Sequence, residues 1–362
     1  MNDGPPLLVS ARPVLSINGQ ENTALGRDLI RLETMEDSQG VATLEAVFLN
    51  FGQTERASAP GYVHFDRAAI DLGKRITVAF GTSGTPQTVF EGTINAIGAS
   101  YPESRPPELT ILAEDALAKL RLARRSRTFE NATDADILRR ILDDAGLRAD
   151  VDATGANHVQ RWQVGQSELD LLRERADALD ARILLKDGAV TARARADGAR
   201  PIPLTHQNEL IRFDVRADLA QQRTKVRVHG WDVSAKAAIH EEAGPDIARA
   251  VAEAQGRTGP QALQQALGEA PEDLHLEMPA TTEEARNLAE ARMKQRARAF
   301  IRGTGTTRGT PALRAGGRAE LLDLGPWFSG IYEVTRVRHS FDQTSGFRTE
   351  FAACRAALEQ GA

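Results

Sequence analysis

The sequence predicts an α+β fold, mostly β, with two related small β-barrel domains, an inserted α+β unit and a helical insertion. Three observations predict it. Short β-rich runs punctuated by Gly and Pro fill the first 112 residues and return in the last third. Capped amphipathic helix patterns lie between them. A stretch near the end, "WFSGIYEVTRV" at 327–337, echoes "VFEGTINAIG" at 89–98.

In the first block, "RDLIRLETME", "GVATLEAVFLNF", "LGKRITVAFG", "TVFEGTINAIG" and "ELTILA" read as strands. "SGTP" at 83–86 and "YPESRPPE" at 101–108 separate them. Short strands at this spacing suit a small barrel or sandwich. At Ala113 the character changes. "AEDALAKLRLARR" has a helical composition. In "NATDADILRRILDDAGL", Thr133 with Asp136 makes a capping box and Ile137, Leu138, Ile141 and Leu142 share one face. Gly146 stops the helix. Ser167 with Asp170 opens a further helix through Leu171, Leu172 and Leu179. "ARILLKDGAVTARA" then reads as a hairpin turning at Asp187–Gly188.

Strands resume in "LIRFDVRADLAQQRTKVRVHGWDV", where Lys225 to Val233 alternates with Val226 and Val228 on one side. From Ala237 to Arg302 the chain is polar and helix-like, and is expected to be an exposed, partly mobile insertion. Its last helix, "TTEEARNLAEARMKQRARAF", is capped by Thr281 with Glu284. Acids lead it and bases close it, as the helix dipole favours. The last strands run from about Pro311 to Ala353, and the tail "RAALEQGA" is expected to be loose.

In the echo, Phe-x-Gly at Gly92 is matched with Phe-x-Gly at Gly330. Gly73–Lys74 and Gly317–Arg318 lie upstream, and a polar turn and a strand lie downstream of each. Two related barrels in one chain have a geometric use. Three copies would present six similar units in a ring, threefold by symmetry and nearly sixfold in shape.

Composition narrows the function. Apolar residues make up 41% and charged residues 26%, an ordinary balance for a globular chain. No apolar run is long enough to span a bilayer. The N-terminus has no basic region followed by an apolar run, so no secretory signal is expected. Cys354 is the single cysteine and has no internal disulfide partner, which suits a reducing compartment. The net charge of −5 gives no bulk attraction to nucleic acid. All but six of the 45 Lys and Arg residues are arginine, spread along the chain as GC-rich coding would leave them.

The ordered set of stretches resembles the phage late control D family, the baseplate hub proteins of contractile tails. The same module forms the hub part of type VI secretion spike proteins and of extracellular contractile injection systems. The resemblance rests on "VFEGTI" at 89–94, "ILAEDALAKLRLARRSRTFENATDADILRRIL" at 111–142 and "QSELDLLRERADALDARILLKDG" at 166–188. It continues through "LAQQRTKVRVHGWDVSAK" at 219–236 and "SGIYEVTRVRHSFDQTSGFRTEF" at 329–351. It implies a homotrimeric torus, a symmetry adaptor with the hexameric inner tail tube on one face and a trimeric spike on the other. It also implies a division into 1–112 (first barrel), 113–205 (α+β middle domain), 206–236 with 303–356 (second, split barrel) and 237–302 (helical insertion). Type VI spikes continue into further domains, whereas nine residues follow Ala353 here, so the spike is expected to be a separate protein. Other baseplate components, and a tape-measure protein or cargo in the lumen, are further expected partners. Stable nucleic-acid binding and membrane insertion are not. The expected place is a phage tail or injection particle, a virion component assembled in the bacterial cytoplasm.

Enzyme chemistry finds little to stand on. His339 has Asp342 three residues on, and Ser329 or Ser340 would be the serine of a hydrolase. No Gly-x-Ser-x-Gly elbow accompanies them. No catalytic residue, cofactor or metal site is therefore expected. Histidines 64, 158, 206, 229, 240 and 275 are scattered without metal-ligand spacing. "GTGTTRGT" at 303–310 lacks the ending of a phosphate loop and reads as a flexible lead into the second barrel. Trp231 reads as a barrel-wall residue, and Arg292–Arg302 as a solvated or interface face with Met293, Ala297, Phe300 and Ile301 buried. A tail-borne cell-wall or glycan hydrolase and a monomeric ligand-binding β protein are the alternatives to the hub.

Overall fold

A computed structural model describes residues 12–38, 40–53, 60–65, 67–81, 86–153, 155–186, 188–194, 200–275 and 278–359. Residues 83–85 of the expected "SGTP" turn and Asp187 of the expected hairpin turn lie outside them. The first block forms β1 (Val14–Ile17), β2 (Gln20–Glu21), α1 (Thr23–Asp28), β3 (Leu29–Asp37), β4 (Thr43–Leu49), β5 (Arg75–Phe80), β6 (Gln87–Ser100) and β7 (Glu108–Glu114). The middle block forms α2 (Lys119–Leu122), β8 (Arg124–Thr133), α3 (Asp134–Asp144), β9 (Arg148–Asp152), β10 (Asn157–Ser167), α4 (Glu168–Ala178), β11 (Ala181–Lys186) and β12 (Ala189–Ala194). Then come β13 (Ile202–Thr205), β14 (Leu210–Ala217), β15 (Lys225–Asp232), β16 (Ala237–Ala243), α5 (Pro245–Ala250), α6 (Gly259–Leu267), β17 (Pro271–Leu274) and α7 (Thr282–Arg298). The chain closes with β18 (Ile301–Arg308), β19 (Arg318–Leu322), α8 (Gly325–Phe328), β20 (Gly330–Asp342) and β21 (Gly346–Arg355).

The fold is α+β and mostly β. One 13-stranded sheet runs β14-β18-β21-β20-β3-β4-β7-β6-β5-β1-β2, with β19 on β20 and β13 on β19. No pairing among the described residues closes this sheet on itself. Its first-block face buries Leu15, Leu29, Leu44, Phe48, Ile76, Phe80 and Ile111. Each such side chain contributes about 1.5–3 kcal/mol by leaving water. The other half buries Leu210, Ile301, Leu321, Tyr332, Val334 and Phe351.

The local signals act as their chemistry requires. Thr133 accepts from the Asp136 N–H, and the Asp136 carboxylate accepts from the Thr133 N–H, so α3 carries a full capping box. Ile137, Leu138, Ile141 and Leu142 are all buried. Gly146 takes φ +65° after the helix, where a side chain would be strained. Ser167 and Thr281 cap α4 and α7 through their hydroxyls.

Five expectations are corrected. The strand at 225–232 does form, but pairs with β16 and β17 in its own three-stranded sheet, outside the large one. Trp231 is accordingly 48% exposed rather than a barrel-wall residue. The 237–302 segment is not simply exposed helix. It contains β16 and β17 and buries Ile239, Ala248, Ala289 and Met293 in one core with Val226 and Val228. "GTGTTRGT" is largely the ordered strand β18, and added Cβ atoms at Gly303, Gly305 and Gly309 would run into the rings of Phe213, Phe351 and Phe347. The tail is anchored through Leu358: Ala356 and Ala357 are buried, and the Leu358 N–H donates to the Arg257 carbonyl at 3.1 Å.

The middle unit is tied to the sheet by a buried ion cluster. Arg298, at the end of α7, donates to both Asp180 carboxylate oxygens at 2.6 Å and reaches Glu333 on β20 at 3.2 Å. Burial works against the charge on Arg298, but the two carboxylates outweigh it and hold its pKa above the usual value.

Candidate assembly surface

The large sheet contains the same strand arrangement twice. In the first half the order is β3-β4-β7-β6, with β5 on β6. In the second it is β14-β18-β21-β20, with β19 on β20. Bulges fall at matching places. The β3–β4 ladder shifts between Leu29 and Arg31, and the β14–β18 ladder between Leu210 and Arg212. The β6–β7 ladder shifts between Ile94 and Ala96, and the β20–β21 ladder between Val334 and Arg336. At the bulge, the Ile94 N–H and C=O bond Lys74 and Gly73. The Val334 N–H and C=O bond Gly317 and Gly316 in the same way. A β-bulge is a specific interruption of a ladder, so two pairs at equivalent positions mark an internal repeat.

The repeat fixes which residues correspond. Ile94 matches Val334, Ala96 matches Arg336, and Glu33 on β3 matches Asp214 on β14. Gly92 therefore corresponds to Tyr332, and Gly330 to Phe90. The Phe-x-Gly match in the sequence is two residues out of register, and its upstream Gly–basic match one residue out. The order of its flanks is right.

Within one chain the halves are joined by antiparallel pairing of β20 with β3, from Arg336↔Asp37 to Asp342↔Arg31. Across this joint Val337 and His339 are 1% exposed and Phe341 is 6% exposed. Phe347 stacks on Phe80 of the first half. Arg314 adds an ion pair to Glu36 at 2.7 Å.

His339 is part of this joint. Its Nδ1 lies 3.0 Å from Thr349 Oγ1, and among the described residues no group meets hydrogen-bond geometry with its Nε2. Burial, with Arg314 nearby, pushes its pKa down to about 3, and the Leu313 backbone only partly opposes this. The ring is therefore neutral and shut away from water. Two of the polar residues weighed beside it, Asp342 and Ser329, have structural employment. The Asp342 carboxylate accepts from the Thr344 and Ser345 N–H groups of the hairpin turn, and Ser329 Oγ accepts from the Leu324 N–H.

Other histidines are less scattered than the sequence implies. His229 and His240 face each other across β15 and β16 with ring centroids 4.7 Å apart, and His275 stacks on His229 at 4.8 Å. His229 Nε2 lies 3.1 Å from Asp273 Oδ1. Among the described residues no group of three or more His, Cys, Asp or Glu side chains is arranged to hold a metal ion. The basic end of α7 is engaged within the chain, with Arg296 on Glu272 and Arg298 on Asp180.

A cluster of exposed aromatic side chains lies in the first half. Phe51, Tyr62, Phe65 and Tyr101 are 40–62% exposed, and Tyr62 contacts the other three rings. Ile97 on β6 is 39% exposed. A concave polar face crosses the middle of the sheet, with Glu33, Met35, Arg336, Arg338 and Glu350 along a groove of about 530 Å³. No helix is long and apolar enough to cross a membrane among the described residues.

This doubled sheet with its flanking α+β unit is a fold shared with solved phage tail proteins. The chain belongs to the Alg8 N-terminal domain family, whose model matches residues 65–343. Its structure is similar to the 43 kDa tail protein of prophage MuSo2 from Shewanella oneidensis, at TM-score 0.67 and 14% identity over 96% of this chain and 98% of that one. A tail protein from Neisseria meningitidis MC58 gives TM-score 0.64 and 12% identity over 96% of both chains. An Escherichia coli protein described as a type VI secretion component, with structural similarity to T4 tail proteins gp27 and gp5, gives TM-score 0.59 and 12% identity. That match covers 96% of this chain and 78% of that one. No curated protein matches by sequence.

Proposed function

We infer that the chain is a non-enzymatic structural hub of a contractile phage tail or tail-like injection system. It adapts the hexameric inner tube to a trimeric spike. The internal repeat carries this reading. A chain with two equivalent sheet units gives a threefold ring six similar units, which is what joining a sixfold object to a threefold one requires. The fold likeness to tail and secretion proteins over nearly the whole chain supports it.

In this reading each half curves into a barrel-like unit of a homotrimeric torus. The division 1–112, 113–205, 206–236 with 303–356, and 237–302 is retained with one change: β15 goes with the insertion it packs against. The concave polar face suits a lumen through which a tape-measure protein or cargo passes without sticking. The place of action is a phage tail or injection particle, assembled in the bacterial cytoplasm.

The test is reconstitution with the tube and spike proteins of the same genome, followed by electron microscopy. The expected result is a ring with tube on one face and spike on the other. Failure to bind either protein would sink the reading.

A further inference from the structure

The repeat leaves two sheet edges that match each other. Within the chain, the distal half of β20 lies between β21 and β3. The equivalent distal half of β6, from Ala96 to Ser100, pairs with β7 alone among the described residues. Likewise β3 forms ladders on both sides, with β4 and β20, while among the described residues its equivalent β14 forms a ladder with β18 alone, apart from a single bridge of Leu210 to His206. One chain thus uses the β20·β3 joint once and presents both halves of a second such joint, unused, on different edges.

We propose that β6 of one copy pairs antiparallel with β14 of the next, in the register of the internal joint. This deepens the ring reading above and rests on it. The internal partners Val337↔Glu36, His339↔Thr34 and Phe341↔Leu32 translate into Ile97↔Ala217, Ala99↔Val215 and Tyr101↔Phe213. The chemistry agrees with the translation. Val337, His339 and Phe341 are the buried positions of the distal half of β20, and their counterparts Ile97, Ala99 and Tyr101 are exposed in one copy. Leu32 and Thr34 are buried beneath β20, whereas Phe213 and Val215 are only partly covered. Pairing would place apolar side chains opposite apolar side chains on the core side. On the other face it sets Ser100 opposite Asp214 and Gly98 opposite Arg216, so no like charges meet. The exposed aromatic patch of Tyr62 continues from Tyr101 beside this edge. An unpaired strand edge is a template for another chain, and a head-to-tail contact of this kind closes into a ring when its rotation allows.

Register-specific cross-linking tests this. Opposed Cα atoms in an antiparallel ladder lie about 4.5–5.5 Å apart, within disulfide reach. Single-cysteine additions Ala99→Cys, Ile97→Cys, Val215→Cys and Ala217→Cys are made on full chains of two tagged sizes. The native Cys354 is buried, and the unsubstituted chain serves as the blank. Mild oxidation should link Ala99→Cys to Val215→Cys and Ile97→Cys to Ala217→Cys. The link should be lost in the crossed combinations. Every variant enters one matched and one mismatched mixture, so a folding defect cannot mimic the pattern. Equal linkage in all four mixtures, or linkage in none, overturns the proposal. A second arm uses Tyr101→Asp, whose side chain is 62% exposed in the single copy. It should keep the unfolding midpoint and abolish self-association; retained association overturns the proposal. A ring that forms without the matched links keeps the hub reading and removes this pairing. Matched links without tube or spike binding do the reverse.

Discussion

Phe80 on β5 and Phe347 on β21 stack face to face, with ring centroids 3.7 Å apart and planes within 1° of parallel. The two rings come from different halves of the repeat. Phe347 is fully buried in the core of the first half, although its strand belongs to the second. The halves are therefore joined both by backbone pairing and by a shared core.

Phe347→Ala should cost about 3–5 kcal/mol of stability, as large core truncations do. Urea unfolding measures it. A double-mutant cycle with Phe80→Ala should show non-additivity of about 0.5–3 kcal/mol, as expected of residues in contact. Strict additivity of the two losses would mean that the stack is not a working contact.

Gly92→Ala should destabilise by about 1–3 kcal/mol, because added bulk in a packed site forces a shift. A Cβ there would collide with the Glu114 backbone, which cannot swing aside as a flexible side chain does. Gly98→Ala on the same strand is the control. Its Cβ would meet only Thr110 at 3.9 Å, an ordinary contact, so it should be nearly neutral. Equal midpoints for the two variants would remove the steric account of Gly92.

The two glycines also explain why the echo in the sequence is out of register. Gly92 is required by the approach of Glu114, while Gly330 sits at φ +125°, a conformation that side chains rarely adopt. Their shared Phe-x-Gly setting has two unrelated causes. The helix caps at Thr133, Ser167 and Thr281 were readable because each is a contact within four residues. Strand alternation at Val226 and Val228 was readable too, but alternation does not say which sheet a strand joins. The meeting of His229, His240 and His275 depends on the registers of β15 with β16 and β17, which no spacing in the chain announces. The bulges that define the repeat are likewise visible only as ladder shifts.

Stability should fall in acid partly through His339. The folded-state pKa, about 3, lies below the ordinary 6.5. The neutral ring is therefore compatible with the fold at full strength above pH 6.5. As pH falls from 6.5 towards 3, the unfolded chain takes up a proton that the folded one refuses, and stability is lost. Asp115 acts with the opposite sign, since burial raises its pKa to about 6, so the useful quantity is a difference. Wild type minus His339→Gln, followed by urea unfolding from pH 7.5 to 4.5, should show wild type losing ground as pH falls. Parallel curves would mean that His339 titrates normally.

A hub of this kind works only as a ring of three copies. Native mass measurement of the full chain, alone and with its spike protein, tests this most directly. The expected result is three copies, either spontaneously or once the spike is added. A single copy in both conditions, at every concentration reached, would contradict it.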